Sequence, residues 1–317
     1  MRIILVTPAG ARSRFGNRIT ARRWAAVLRS LGHRVAIQTA WEGASADVLI
    51  ALHAWRSAAS ISGFRARFPA RPLIVALTGT DIYGFLHTEP ETTRRSLECA
   101  DLLVGLHDLV GEALPPEFRQ RVRVVHQSVS GGSVERHPSK RTFDVCVVGH
   151  LRREKDPLRA AWAARGMPPD SHLRVLHAGG ARDPEWADAA RREMARNPRY
   201  RWLGEVPAWR VRRLDERTHA MVISSLSEGG ANVVSEAVVA GLPVIASRIP
   251  GNVGLLGPDH PACFPSGDTD ALRALLRRAE REPEFLAEIT RHGARRTPLF
   301  APEREREAWW RLLAAFA

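Results

Sequence analysis

The residues of this chain whose types and spacing suit chemistry are gathered in Ser227-Glu228-Gly229-Gly230-Ala231-Asn232-Val233-Val234-Ser235-Glu236. The apolar run 221–226 before them reads as a buried strand, and 233–240 after them as a buried helix that stops at Gly241 before Pro243. Two glycines let the backbone approach a ligand closely. The free N–H groups that open the helix point at whatever sits there, which makes an anion site suited to a pyrophosphate. Glu228 lies ahead of the helix, and Glu236 lies in its first turns with its side chain leaning back towards the N-terminus. Both carboxylates can accept hydrogen bonds from neutral hydroxyls flanking the pyrophosphate, such as a ribose and a hexose. On spacing alone, the plain alternative is a strand-to-helix turn with two solvated glutamates.

The elements that must position these residues follow one pattern. Strands are expected at 2–7, 34–39, 47–53, 72–78, 101–107 and 122–127, alternating with helical patterns at 17–31, 55–68, 91–99 and 109–114. Residues 128–140 are polar, glycine-containing and aperiodic, and read as a linker. A second set follows, with strands at 143–148, 173–177, 200–203, 221–225, 242–246 and 262–264. Its helices are expected at 157–165, 184–195, 208–216, 232–240 and 270–281. The tail segments 284–292 and 302–316, the latter carrying Trp309 and Trp310, read as amphipathic helices. Alternation of this kind means parallel sheets covered on both faces, with ligands at the carboxyl ends of the strands.

Two strand-end loops of the first half carry candidates. One contains Gly10, Arg12, Arg14, Gly16, Asn17 and Arg18 and enters a helix bearing Thr20, Arg22 and Arg23. Helix N–H groups and guanidinium forks together suit a phosphate-like anion, and a solvated basic loop is the alternative. The other is Thr78-Gly79-Thr80-Asp81, which also suits a plain turn with Asp81 capping a short helix. His53 ends the third strand, where a satisfied structural histidine is the simpler reading.

Glu228 and Glu236, with Gly229-Gly230 between them, resemble the paired-glutamate motif of family 4 glycosyltransferases with the GT-B fold. The resemblance implies two Rossmann-like parallel-sheet domains facing a central cleft, at 1–130 and 141–300. It also implies a C-terminal helix, 301–317, crossing back to the first domain and giving Trp309 and Trp310 an apolar surface to cover. Glu236 would hold the nucleotide ribose and Glu228 would lie at the donor sugar. The backbone of Gly229, Gly230, Ala231, Asn232 and Val233 would bind sugar and diphosphate. The segment from Gly149 to Pro157 is similar to the family loop whose basic residue and lysine neutralise the diphosphate. Lys155 falls at the lysine position, in a chain with only two lysines. The usual arginine after the glycine is His150 here, which leaves Arg152 or Arg153 as the second cation. Gly204 and Val206 match the segment set against the nucleotide base. Catalytic roles fall to Lys155, Arg18 and Glu228, with no metal. The pair Asp268 and Asp270 has the form of a metal-binding motif, but it opens a helix and reads as a cap.

Three further stretches, 7–24, 51–57 and 77–83, resemble the selenosugar synthases of bacterial selenoneine biosynthesis. Those enzymes join selenophosphate to the sugar of a UDP-sugar, usually UDP-N-acetylglucosamine. A selenium nucleophile carried on phosphate is already anionic and needs a cationic cradle rather than a base, a role that Arg12, Arg14 and Arg18 suit. The alternatives are a transferase with a hydroxyl acceptor, a GT-B-fold epimerase, and a non-catalytic UDP-sugar binder.

At 317 residues with 44% hydrophobic content, the chain suits two folded domains. Net charge is +13; of 47 basic residues only Lys140 and Lys155 are lysine, which leaves 45 arginines. The arginines are spread along the chain with no aromatic-interleaved stripe, which argues against nucleic acid as the partner. The N-terminal apolar run is too short for a signal peptide, and no run is long enough to span a bilayer. Cys99, Cys146 and Cys263 are scattered without metal-ligand spacing and read as free thiols in a reducing cytoplasm.

Overall fold

The computed structural model describes residues 1–11, 13 and 16–316. The chain divides into two compact units. The first comprises Met1–Ser128, Glu228–Asn232 and the residues from Leu299 onward, and the second comprises Val129–Ser227 and Val233–Pro298.

The first unit is built on six strands: β1 (Arg2–Val6), β2 (Arg34–Gln38), β3 (Val48–Leu52), β4 (Leu73–Ala76), β5 (Leu102–Gly105) and β6 (Val122–Val124). They form one sheet in the order β2-β1-β3-β4-β5-β6, parallel throughout. Every residue of β3 and β4 is buried, which is why both read as unbroken apolar runs rather than alternations. One face of the sheet is covered by the helices Ala58–Arg67 and Pro90–Cys99, through Ile61, Phe64 and Leu97. The other is covered by Gly16–Ser30 and Pro302–Ala314, through Trp24, Leu28, Trp309, Leu312 and Leu313. Trp24 and Trp309 meet edge to face at 4.8 Å between ring centres, a contact that adds about 0.5–1.5 kcal/mol to the burial itself. Trp309 is fully buried, but Trp310 is 58% exposed. Consecutive helical residues point about 100° apart, so only one of the two tryptophans can face the sheet.

The second unit repeats the plan with β7 (Phe143–Val148), β8 (Leu173–Ala178), β9 (Tyr200–Trp202), β10 (Ala220–Ile223), β11 (Val244–Ser247) and β12 (Cys263–Phe264). Its order is β12-β11-β10-β7-β8-β9, again all parallel. The expected α/β architecture of two parallel sheets is therefore what the chain adopts. Two local expectations need amendment. Residues 109–114 form only a short 3₁₀ turn, Val110–Ala113. Pro250–Leu256 is a helix that the sequence reading does not contain, because its Pro-Gly-Asn and second glycine read as loop. It is held from inside: buried Asn252 donates its side-chain N–H groups to Ser247 O and Oγ, both at 3.0 Å.

Candidate functional site

In an open parallel sheet the ligand crevice lies where the strand order reverses. In the second unit that point falls between β7 and β10, which are neighbours with connections leaving in opposite directions. The loop after β7 carries His150, Arg152, Arg153 and Lys155, and the segment after β10 leads into Glu228. The structure stitches these two segments together. Leu226 N–H donates to Glu154 O at 2.8 Å, and Ser224 Oγ–H donates to Asp156 O at 2.9 Å. Arg153–Lys155 form a single 3₁₀ turn closed by Asp156 at φ 44, whose carboxylate pairs with Arg159 at 2.7 Å. A non-glycine residue in the left-handed region costs of order 1 kcal/mol, and the ion pair helps hold it there.

The glycine that opens the loop is fixed from below. His177 is fully buried, donates from Nε2 to Gly149 O at 3.0 Å, and accepts from Tyr200 O–H at Nδ1 at 3.0 Å. Burial pushes its pKa down to about 4, so it is a neutral strut. Gly149 and Gly179 pack backbone against backbone, so a Cβ on Gly179 would collide with the Gly149 carbonyl. Gly179 N–H donates in turn to Gly204 O at 2.8 Å. Gly204, in the left-handed region at φ 70, and Val206 thus lie at the end of the same edge, after β9.

His150 accepts a bond from Gly180 N–H at Nδ1, 3.2 Å, and its pKa is lowered by burial and then by the Arg152 charge. The imidazole is neutral with its proton on Nε2, so this position supplies a hydrogen-bond donor rather than a cation. Arg152 pairs with Glu154 at 3.1 Å, while Arg153 is exposed and Lys155 partly exposed. Glu236, in the helix Asn232–Val239, is exposed, and Val233 beside its start is partly so.

Beneath Glu236 lies a group that the sequence did not flag. Asp215 is 7% exposed, and its carboxyl is pushed up to about 7 by burial and by the charge of Glu236, against the opposing pull of Arg136. An acid whose folded pKa is raised holds its proton in the native state. Its contribution is therefore fully present below the unfolded value near 3.8 and is lost as pH climbs towards 7. Asp215→Asn is accordingly expected to raise the melting temperature at pH 8, with the gain shrinking towards pH 5. A gain that does not depend on pH would contradict the assignment.

The first-unit candidates occupy the carboxyl edge of the first sheet, where order reverses between β1 and β3. Arg18 and Asn17, both partly buried, and exposed Gly16 stand in the first turn of Gly16–Ser30. Arg12 and Arg14 lie outside the described residues. After β4, Asp81 is fully buried, and its carboxylate accepts the N–H groups of Thr78, Gly79, Ile82 and Ala54 at 2.8–3.2 Å. It pins the turn through these backbone N–H groups, the arrangement that the plain-turn alternative expects. His53, at φ 76 and 1% exposed, accepts Arg56 N–H at Nδ1 and so donates from Nε2 to Thr80 Oγ1 at 2.9 Å. Burial lowers its pKa and keeps it neutral.

Glu228–Asn232 pack among these first-unit residues. A Cβ on Gly79 would lie 2.5 Å from Gly229 N, and one on Gly230 would lie 2.5 Å from Leu106 Cβ. Only glycine permits backbones this close. Glu228 is 8% exposed and Ala231 is buried. Arg23, on the helix that the basic loop enters, meets here two side chains that spacing did not single out, Gln127 and Glu305. Arg23 reaches Asn232 Oδ1 at 3.2 Å, Gln127 Oε1 at 2.6 Å and Glu305 Oε1 at 3.2 Å.

Asp268 caps the helix Thr269–Arg281, accepting from Asp270 N–H at 3.0 Å and Ala271 N–H at 2.9 Å. Among the described residues no group of three or more His, Cys, Asp or Glu is placed to hold a metal ion. No described helix is long and apolar enough to cross a membrane, and the three cysteines are unpaired.

Two parallel six-stranded sheets with ligand-grade loops at their carboxyl edges define a GT-B glycosyltransferase fold, and solved structures agree. Sucrose-phosphate synthase from Thermosynechococcus elongatus is similar at TM-score 0.82 and 16% identity, over 99% of each chain. HepE from Anabaena, solved with UDP and glucose, is similar at TM-score 0.78 and 15% identity, over 99% of this chain and 100% of that one. By sequence, glycosyltransferase 1 domain-containing protein 1 of Xenopus tropicalis is 27% identical over 165 residues, covering 50% of this chain and 46% of that protein. The match thus spans about half the length of that relative. The profile of the glycosyl transferases group 1 family matches residues 134–296, and the chain belongs to that family.

Proposed function

We propose that this chain is a glycosyltransferase that moves a hexosyl group, N-acetylglucosamine, from a UDP-sugar to selenophosphate, giving a 1-seleno-sugar for selenoneine biosynthesis. The observation that carries the donor half is the joining of the Lys155 loop to the segment entering Glu228, on the two strands that flank the order reversal of the second sheet. A lysine there meets charge on the departing diphosphate, and exposed Glu236 takes the ribose hydroxyls. HepE, of like fold, was solved with UDP-glucose, which supports the same donor class.

The acceptor half rests on Arg18 in the first turn of a helix that follows β1, where guanidinium and helix N–H groups suit a phosphate-borne nucleophile. The selenium–carbon bond forms as the bond from the anomeric carbon to the UDP oxygen breaks; water then takes the phosphoryl group as the selenium–phosphorus bond breaks, giving inorganic phosphate and the selenol. His53 and His107, at the ends of two strands of the first sheet, are both kept neutral by burial, and each ring is bonded to a neighbouring hydroxyl. A nucleophile that arrives as an anion asks no base of them.

The test is incubation with UDP-N-acetylglucosamine and selenophosphate, followed by mass analysis for a selenium-containing sugar. UDP release that needs a hydroxyl acceptor, or water alone, would replace this acceptor with a sugar hydroxyl or an epimerase reaction. UDP binding without turnover would make the chain a binder. Glu236→Ala is expected to weaken UDP binding by about 1.5–3 kcal/mol, roughly ten- to hundredfold. Calorimetry that finds the folded variant unchanged would remove Glu236 from the site.

A further inference from the structure

Six side chains of the first unit, those of Thr20, Arg23, Trp24, Gln127, Ser128 and Glu305, form a polar network that ends on the Gly-Gly-Ala-Asn segment. Glu305, from the helix Pro302–Ala314, is 1% exposed, a depth at which an unpaired carboxylate would be costly. It is fully satisfied. Oε1 accepts Trp24 Nε1–H at 2.9 Å and Arg23 Nε–H at 3.2 Å, while Oε2 accepts Ser128 N–H at 3.1 Å and the Ser128 hydroxyl. With its Nε taken by Glu305, the Arg23 fork has both terminal nitrogens committed. One goes to Gln127 Oε1 at 2.6 Å, and the other goes to Asn232 Oδ1 at 3.2 Å. Gln127, 4% exposed, also accepts the Thr20 hydroxyl at 3.4 Å. Every terminus of the network but one is on the first helix, the segment after β6 or the last helix. The remaining terminus is Asn232.

That exception matters because of what surrounds it. Among residues 229–232, two are glycines and one is alanine, so Asn232 has the only polar side chain by which the segment can be held. Glycine-rich backbone loses the most conformational freedom on being fixed. N–H groups that bind an anion are effective only if they are already aimed when it arrives.

We infer that Arg23 is a positioning residue for the donor diphosphate: oriented by Glu305 and Gln127, it clamps Asn232 and so pre-aims the N–H groups of residues 229–232. The last helix thereby acts on the donor site through Arg23. This inference rests on the reading that residues 229–232 bind the diphosphate of a UDP-sugar.

A double-mutant cycle tests it, with UDP affinity measured by calorimetry and KM and kcat measured for the UDP-sugar. Arg23→Lys keeps the charge but cannot span three acceptors. It is expected to weaken UDP binding about tenfold and to raise the UDP-sugar KM alike, with the acceptor KM unmoved. Asn232→Ala removes the same bond from its other end, with no buried charge disturbed, and is expected to match it. The double variant is expected to be no weaker than Asn232→Ala alone. Unchanged UDP affinity in folded Asn232→Ala, or losses that simply add in the double variant, would overturn the clamp. Failure of the unsubstituted chain to bind UDP would instead overturn the donor reading, and this inference with it.

Discussion

Lys155→Ala is expected to lower turnover by roughly two to three orders of magnitude while leaving the fold intact, the size seen when one preorganised charge stabiliser is removed from a reaction centre. The reasoning starts from the loop. Its conformation is held by backbone bonds: Leu226 N–H and Ser224 Oγ–H donate to Glu154 O and Asp156 O, and Lys155 N–H donates to Arg152 O at 2.9 Å. None of these needs the lysine side chain. What the substitution removes is a cation at a position where His150, whose family counterpart is arginine, supplies none because its imidazole is neutral. The diphosphate gains charge as the glycosidic bond breaks, so the loss is expected mainly in kcat, with a smaller rise in the UDP-sugar KM. Lys155→Arg is expected to recover part of it, since it restores the charge but not the compact ammonium geometry. Steady-state kinetics that show kcat unchanged in Lys155→Ala would take this residue out of the reaction.

Lys155 was legible in the sequence for a reason that does not extend to its neighbours. In a chain whose cations are almost all arginine, a lysine after a strand-end glycine stands out. The central strands β3, β4, β10 and β11 were legible because they are buried on both faces and leave unbroken apolar runs. At the sheet edges, β2, β6 and β9 each expose an arginine and were legible only as short apolar stretches between turns. The Gly229-Gly230 turn was legible because close backbone approach admits only glycine. Glu305 was not. It sits in Glu303-Arg304-Glu305-Arg306-Glu307, an alternation that reads as a solvated helix face, and only the packing of Pro302–Ala314 against Trp24 turns its one carboxylate inward. Asp215 was hidden in the same way among Arg212, Arg213, Glu216 and Arg217. The left-handed backbone of His53 is set by the bonds it makes to Arg56 and Thr80, so no local pattern announces it. What sequence spacing shows is the demand of a ligand on backbone. What it misses is polar side chains whose partners come from distant segments.

Gly229→Ala is expected to abolish most UDP-sugar turnover by displacing the donor segment rather than by unfolding the chain. The added methyl would fall on the Thr78 carbonyl group and Gly79 N, well inside van der Waals distance. A clash with the tip of a flexible side chain can relax by rotation, but here backbone meets backbone. The Thr78–Gly79 turn cannot retreat cheaply, because the buried Asp81 carboxylate holds both of its N–H groups and ties them to those of Ala54 and Ile82. The segment 229–232 must therefore give way, against Arg23 at its far end. Overpacking of this kind costs about 1–3 kcal/mol of stability, which shifts the melting temperature by only a few degrees. Displacing phosphate-binding N–H groups by about 1 Å, in contrast, costs on the order of a hundredfold in rate. Gly111→Ala serves as the control, since a Cβ there meets nothing within 4 Å and the position lies outside the positive-φ region. It is expected to leave turnover and UDP affinity as they are. If Gly229→Ala were to match the control in both, residues 229–232 would not be the diphosphate site, whatever their resemblance to one.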